Sequence, residues 1–308
     1  MDSLCKFYRY GNIKDGKKGV LFMVATLILL LLVIVMVLYI LYYGYDVYTH
    51  RDELEAETSC VKAGCFGFIC LFFDVLGIGA FAPHTTLYHR FHQVKDYLIP
   101  GTLNVGNAIP TIIQALIFIH LVKVDTITLV NMLMASVIGS YLGASIVSKM
   151  DEQKIRLSMG IALLITALFM FLSAVGLMDI GGNADGLSGM KLIIAIVVNF
   201  LLGALMTVGV GLYSPCMALV SLLGMSPTIA FPIMMGSCAF LMPVCGVKFI
   251  KSGMYNRKAA VSSTIAGSVG VLLAAFIVKS LPLQVLRWGV VVVVIYTACS
   301  MLKAGMKK

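Results

Sequence analysis

Apolar positions in this chain come in long runs with charges confined to the gaps between them, a pattern of bilayer-spanning helices rather than of amphipathic or alternating segments. Gly19 to Tyr43 is nearly unbroken. Further runs follow at 63–88, 98–120, 127–148, 155–178, 191–220, 229–250, 259–279 and 285–303. Those at 63–88 and 191–220 are interrupted by glycine and proline. The pattern predicts an all-α polytopic membrane protein: one extra N-terminal transmembrane helix and two repeats of about four membrane segments, each repeat opening with a broken helix. The boundaries read as a basic cytoplasmic tail (1–18), the N-terminal helix (19–43), an acidic loop (44–62), repeat 1 (63–178), a Gly-rich linker (179–190) and repeat 2 (191–304).

The first run is longer than the apolar core of a cleavable signal, about 7–15 residues. It leaves through Tyr42-Tyr43-Gly44-Tyr45, an interfacial aromatic belt, and reads as a retained anchor with its N-terminus in the cytoplasm. If the broken segments cross fully, the loops at Arg90/Lys95, Lys149/Lys154/Arg156 and Lys279/Arg287 all face the cytoplasm, while Arg257, Lys258, Lys307 and Lys308 fall outside. If they re-enter on their own side, each repeat has three crossings and the halves are inverted. The charges of the first half favour full crossing.

The two interruptions share a skeleton. Gly77-Ile78-Gly79-Ala80-Phe81-Ala82-Pro83, with Leu87 and Pro100 beyond, matches Gly209-Val210-Gly211-Leu212-Tyr213-Ser214-Pro215, with Leu219 and Pro232 beyond, at an offset of 132. An unpaired backbone group in hydrocarbon costs several kcal/mol, so such breaks persist only where protein or a cavity satisfies them. Paired breaks in two halves point to a transporter's substrate site.

Composition agrees: 60% hydrophobic and 12% charged residues cannot supply the polar shell of a soluble protein this long. The net charge of +9 sits in short loops and tails, with no basic stripe for nucleic acid. Eight cysteines lack CxxC spacing and behave as small hydrophobes. His84, His89 and His92 do not make a metal face. Asp179, Asn183 and Asp185 alternate as in a calcium loop, but Met190 stands where glutamate is needed, so the stretch reads as a linker. Gly139-x-x-x-Gly143 reads as a packing face. Gly77-Ile78-Gly79 lacks the third glycine of a dinucleotide fingerprint, and there is no Walker lysine. No cofactor, metal or enzyme activity is expected.

Asp74 stands twelve positions after Lys62, about 18 Å into the first broken segment. An acid at that depth is costly and marks a proton or substrate path. Gly77, Gly79, Gly209 and Gly211 allow close approach and positive φ. Pro83 and Pro215 suit the first turn of the half-helices beyond the breaks. A half-helix N-terminus offers free amides and partial positive charge to an anion. His84, Thr85, Asn104, Ser214, Cys216 and Ser237 are candidate lining groups; Ser, Thr and Asn equally serve as interhelical ties, for about 0.6 kcal/mol each.

On these breaks, their prolines and Leu222-Leu223-Gly224-Met225-Ser226-Pro227, the chain resembles the sulfite exporter TauE/SafE family, also called the toluene sulfonate uptake permease family. The resemblance covers about 63–304 and leaves the N-terminal helix unexplained. Asp74 fits an acid that members often carry before the glycines; Met206 holds that place in the second half. The family's glycine run is reduced to Gly-x-Gly, and His92-Gln93-Val94-Lys95 replaces the turn in the first half. The resemblance implies transport of a sulfur-containing anion such as sulfite, an organosulfonate or thiosulfate, driven by an ion gradient.

The sequence is therefore read as a secondary transporter, an exporter, of a small sulfur-containing anion across the bacterial cytoplasmic membrane, with proton coupling through Asp74. An uncoupled anion channel and a non-transporting membrane subunit are the alternatives. The partners expected are the anion and the lipid bilayer, with no nucleic acid; homo-oligomerisation is left open.

Overall fold

The protein is described by a computed structural model covering residues 16–119, 124–177, 182–209, 211–226 and 229–277, with short stretches between 292 and 306. The tail as far as Asp15, residues 178–181 of the linker and most of the expected segment 285–303 lie outside the described residues. The described helices are α1 (Gly16–Thr49), α2 (Cys60–Asp74), α3 (Phe81–Arg90), α4 (Ile99–Gly106), α5 (Ala108–Phe118), α6 (Thr126–Val147), α7 (Glu152–Ala174), α8 (Gly189–Met206), α9 (Tyr213–Leu222), α10 (Ala230–Ser252) and α11 (Arg257–Ile277). Among the described residues there is no strand beyond an isolated bridge between Ala184 and Met225. Among the described residues, six segments are long and apolar enough to cross a membrane.

Local chemistry sets the ends. Ser59 caps α2 by accepting from the Lys62 amide, and Asp125 caps α6 by accepting from the Thr128 amide at 2.9 Å. Gly253 closes α10 in the left-handed conformation at φ 64°. The run expected at 98–120 is α4 and α5, parted at Asn107. Pro110 has no amide for the Gly106 carbonyl, and the Thr264 hydroxyl donates to that carbonyl instead, at 2.7 Å. Helix α1 buries Ile28, Leu32, Tyr39 and Tyr43 and turns Leu27, Leu30, Leu38 and Leu41 outward. That is a lipid-facing helix packed along one side.

Small residues bring the main helices into backbone contact. A Cβ on Gly67 of α2 would lie 2.7 Å from Ser263 Cα of α11, and one on Gly203 of α8 would lie 2.7 Å from Ser136 Cα of α6. Gly139 and Gly143 form the packing face expected of them, seated on Phe200 and Ala204 of α8. So α2 lies on α11 from the other half of the chain, and α8 lies on α6, in reciprocal fashion.

Helix α2 stops at Asp74 and α3 begins at Phe81; α8 stops at Met206 and α9 begins at Tyr213. Gly77, Gly79 and Gly209 hold φ of 78°, 88° and 105°, where an L side chain is strained. Their flanking helices are short: 15 and 10 residues for α2 and α3, about 22 and 15 Å, less than the roughly 30 Å of hydrocarbon.

The first broken segment does not run through the bundle. Thr58 donates from its hydroxyl to the Gln93 carbonyl at 2.8 Å, and the Ser59 amide donates to Gln93 Oε1 at 2.9 Å. Residues before α2 and after α3 thus lie on one face, contrary to the full crossing that the loop charges favour. The second segment behaves alike: the Gly182 amide donates to the Met225 carbonyl at 3.2 Å, and Lys191 Nζ to the Leu223 carbonyl at 3.1 Å. This is the opposite face, because Asp125 at the start of α6 donates its amide there to the Asp185 carbonyl at 2.9 Å. Charge counting fails because acidic and basic loops share a face and pair. Arg257 Nε meets Asp46 Oδ2 at 2.9 Å and Arg156 Nε meets Asp96 Oδ2 at 2.8 Å.

Two expectations follow from this geometry. With Cys5, Cys60, Cys65 and Cys299 replaced by serine, cysteines placed at Glu57 and His92 will react with an impermeant maleimide from one side of the membrane. Those at Asn183 and Leu222 will react from the other; opposite sidedness of Glu57 and His92 would restore full crossing. Second, Gly79→Ala will destabilise the purified protein by about 1–2 kcal/mol through its positive φ. Gly211→Ala, whose Cβ would meet Phe81 Cβ at an ordinary 3.8 Å, will leave the thermal midpoint near wild type.

Candidate functional site

The two breaks meet. A Cβ on Gly79 would stand 3.8 Å from Tyr213 Cβ, and one on Gly211 would stand 3.8 Å from Phe81 Cβ, so each break rests on the first residue of the other's half-helix. Between them is a cavity lined by Asp74, Ala80, Thr111, Met206, Tyr213 and Cys238, among others. It is small: water centres fit in about 10 Å³, room for one molecule. The N-termini of α3 and α9 both open beside it. Each contributes amides that no preceding turn can satisfy and about half a positive charge.

Asp74 occupies the junction. It is the last residue of α2, its side chain is buried, and its Oδ1 accepts the Ala80 amide at 2.5 Å, bridging the first break. Its carboxyl also faces the Tyr213 hydroxyl and the Gln114 amide. Tyr213 in turn donates to Gln114 Oε1 at 2.8 Å. The acid is therefore bonded to an amide of α3 and stands beside a phenol of α9 and an amide side chain of α5. Met206, at the matching place of the second half, has no charge to hold and sits 3.5 Å from the Cys238 thiol.

Of the sequence candidates, Asp74, Gly79 and Gly211 line the cavity. Pro83 and Pro215 stand at the third position of α3 and α9 with Ser214 beside Pro215, in the first turns as expected. Gly77 faces the Phe231 ring at 3.3 Å from a would-be Cβ, a packing contact rather than a ligand contact. Gly209 faces Met159 and the Thr85 hydroxyl. His84 and Thr85 are fully buried. His84 Nδ1 lies 3.5 Å from Asn107 Nδ2 and its ring packs on Tyr88, while His84 Nε2 and Thr85 Oγ1 have no hydrogen-bond partner among the described residues. Two unpaired polar atoms just behind the α3 N-terminus are an unspent resource for a polar ligand.

Others serve the scaffold. Asn104 donates to the Pro100 carbonyl at 2.8 Å and the Met206 carbonyl at 3.4 Å, and accepts from the Cys245 thiol. It thereby ties α4 to the end of α8. Ser237 accepts from Asn199, which also donates to the Met132 carbonyl at 2.7 Å, joining α6, α8 and α10. Cys216 is buried in α9 and is not among the cavity residues.

Sequence reasoning passed over Tyr213, Gln114 and Thr111. A signal existed for each. Tyr213 aligns at the offset of 132 with Phe81, so its hydroxyl is what distinguishes the two halves, and Gln114 and Thr111 are polar residues inside an apolar run.

No curated protein and no solved structure matches the chain significantly. The model of the family described as Sulfite exporter TauE/SafE matches residues 18–170. The match takes in α1, which the resemblance read from the breaks left out, along with the first break and Asp74. By this match, the chain belongs to the sulfite exporter TauE/SafE family of membrane transporters.

Proposed function

We propose that the chain is a secondary transporter of a small sulfur-containing anion, coupled to protons, in the bacterial cytoplasmic membrane. In this reading the two halves are repeats of inverted topology, each opening with a re-entrant broken helix. The half-helix ends at Pro83 and Pro215 hold the anion. The observation that carries it is the meeting of the breaks at one cavity, with a single carboxyl bonded to an amide of the first half-helix.

The chemistry follows from what competes for that end. An ionised Asp74 is itself an anion at the N-terminus of α3, holding the Ala80 amide. A proton taken up by Asp74 removes the resident negative charge, weakens its hold on the amide and leaves that end to the substrate. Proton and anion then move together with less net charge in the apolar interior, which lowers the cost of crossing. Because the two broken segments enter from opposite faces, small rotations at the glycines open the cavity to one face or the other. Thr111, which lines the cavity, would orient oxyanion oxygens, and His84 and Thr85, unpaired behind the α3 N-terminus, would join it on opening.

The test is flux in proteoliposomes with sulfite, thiosulfate and taurine, with and without a pH gradient. Wild type will show saturable counterflow and gradient-driven accumulation. Asp74→Asn will keep counterflow and lose accumulation by about tenfold or more, the scale of a 1.4 kcal/mol change. Accumulation by Asp74→Asn in response to the gradient would make Asp74 structural, and flux without counterflow would mark an uncoupled channel.

A further inference from the structure

We infer that Tyr213 is a positioning residue that passes the protonation state of Asp74 in the first break to the half-helix beyond the second. The inference rests on the reading of Asp74 as the proton site and names the second participant in it.

Three observations place Tyr213 in that role. It is the first residue of α9, immediately after the second break, and its buried side chain reaches the carboxyl of the first break. Its hydroxyl stands between two acceptors, Asp74 and Gln114 Oε1, and donates to the latter at 2.8 Å. Finally, the described amides just before it make single-turn bonds: Thr207 to Ala204 at 3.2 Å, Val208 to Leu205 at 3.0 Å and Gly209 to Met206 at 3.0 Å. Such a segment opens more readily than the helices around it.

A phenol has one proton to donate. When it is given to Gln114, the contact between Asp74 and the phenol oxygen requires a proton from Asp74, so this arrangement belongs to the neutral acid. When Asp74 is ionised, the phenol proton turns to the carboxylate, the stronger acceptor, and Gln114 Oε1 loses its donor. Gln114 Nε2 has no hydrogen-bond partner among the described residues, so the amide is not locked in one orientation. Each state of Asp74 thus selects a different partner for the side chain that starts α9, which makes a two-state element spanning both breaks.

The surroundings contain little else that could respond. Among the described residues, the other titratable groups that interact with Asp74 or Tyr213 are the thiols of Cys70 on α2, Cys216 on α9 and Cys238 on α10. Helix α5 contributes Gln114 and α3 the Ala80 amide. The relay is one-sided. At the offset of 132 the counterparts of Asp74 and Tyr213 are Met206 and Phe81, with neither carboxyl nor hydroxyl. Phe81 also shows that a plain ring fits this kind of place.

The experiment is amide hydrogen exchange on the full-length protein in lipid nanodiscs, without substrate, between roughly pH 5 and pH 8 and corrected for the intrinsic rate. In wild type, protection across Met206–Leu222 will change by about fivefold or more, the lower end of ordinary coupling between sites. Asp74→Asn and Tyr213→Phe will each abolish the change while keeping the wild-type thermal midpoint. Should Tyr213→Phe not fold, Gln114→Leu, which removes the second acceptor, is expected to abolish the change as well. A pH response that survives in Tyr213→Phe, or in Gln114→Leu where that variant is the one that folds, would overturn the inference. So would a wild-type protein with no response, or a response intact in Asp74→Asn. Since no substrate takes part, absence of anion flux in proteoliposomes would count against the transporter reading alone.

Discussion

The bond from the Ala80 amide to Asp74 is the constraint around which the rest of this structure is arranged. A helix that ends inside an apolar bundle leaves carbonyls behind and amides ahead without partners, each at a cost of several kcal/mol. At the first break one of those amides is satisfied by the last side chain of the preceding helix, at 2.5 Å. The same contact gives a buried carboxyl a donor. The break and the acid therefore stabilise each other.

The bundle supplies the rest of that support by close approach of helices from opposite halves. Gly67 against Ser263 and Gly203 against Ser136 bring α2 onto α11 and α8 onto α6 at backbone contact. In a bilayer, where lipid tails are as apolar as leucine, such packing and interhelical hydrogen bonds replace the hydrophobic drive between helices. The ties of Asn104, Asn199 and Thr264 to carbonyls on neighbouring helices belong to the same economy. They hold the two breaks against one another, so that Gly79 meets Tyr213 and Gly211 meets Phe81. The site is thus a product of the scaffold, yet most of its polar character comes from one side: Asp74, Asn107 and Thr111 precede the linker, and among the described lining residues Tyr213 and the Cys238 thiol answer them from beyond it.

Charge is informative here for a different reason than loop counting assumes. Asp46 in the last turn of α1 and Arg257 lie on one face and pair, as do Asp96 and Arg156. The positive-inside rule reads lysine and arginine as free orienting charges. Where they are partnered across loops, their distribution also reflects tertiary contacts, and orientation drawn from one half of the chain is misled.

The sequence by itself determined that the chain is helical and membrane-embedded, that two interruptions recur at a fixed offset, and that Asp74 stands beside the first. Long apolar runs, glycine and proline carry those facts locally, because a helix either continues or breaks according to residues within a turn or two. Only the tertiary structure decided that the first broken segment turns back, since that depends on Gln93 meeting Thr58 and Ser59, 35 and 34 residues away. The same holds for Ser237 and Asn104, which pattern alone offered as lining groups and which packing commits to helix ties. It holds as well for Tyr213, whose hydroxyl acquires meaning only beside Asp74 and Gln114. No local rule can place a side chain next to residues 139 and 99 positions earlier in the chain, because their proximity is set by how the whole bundle packs.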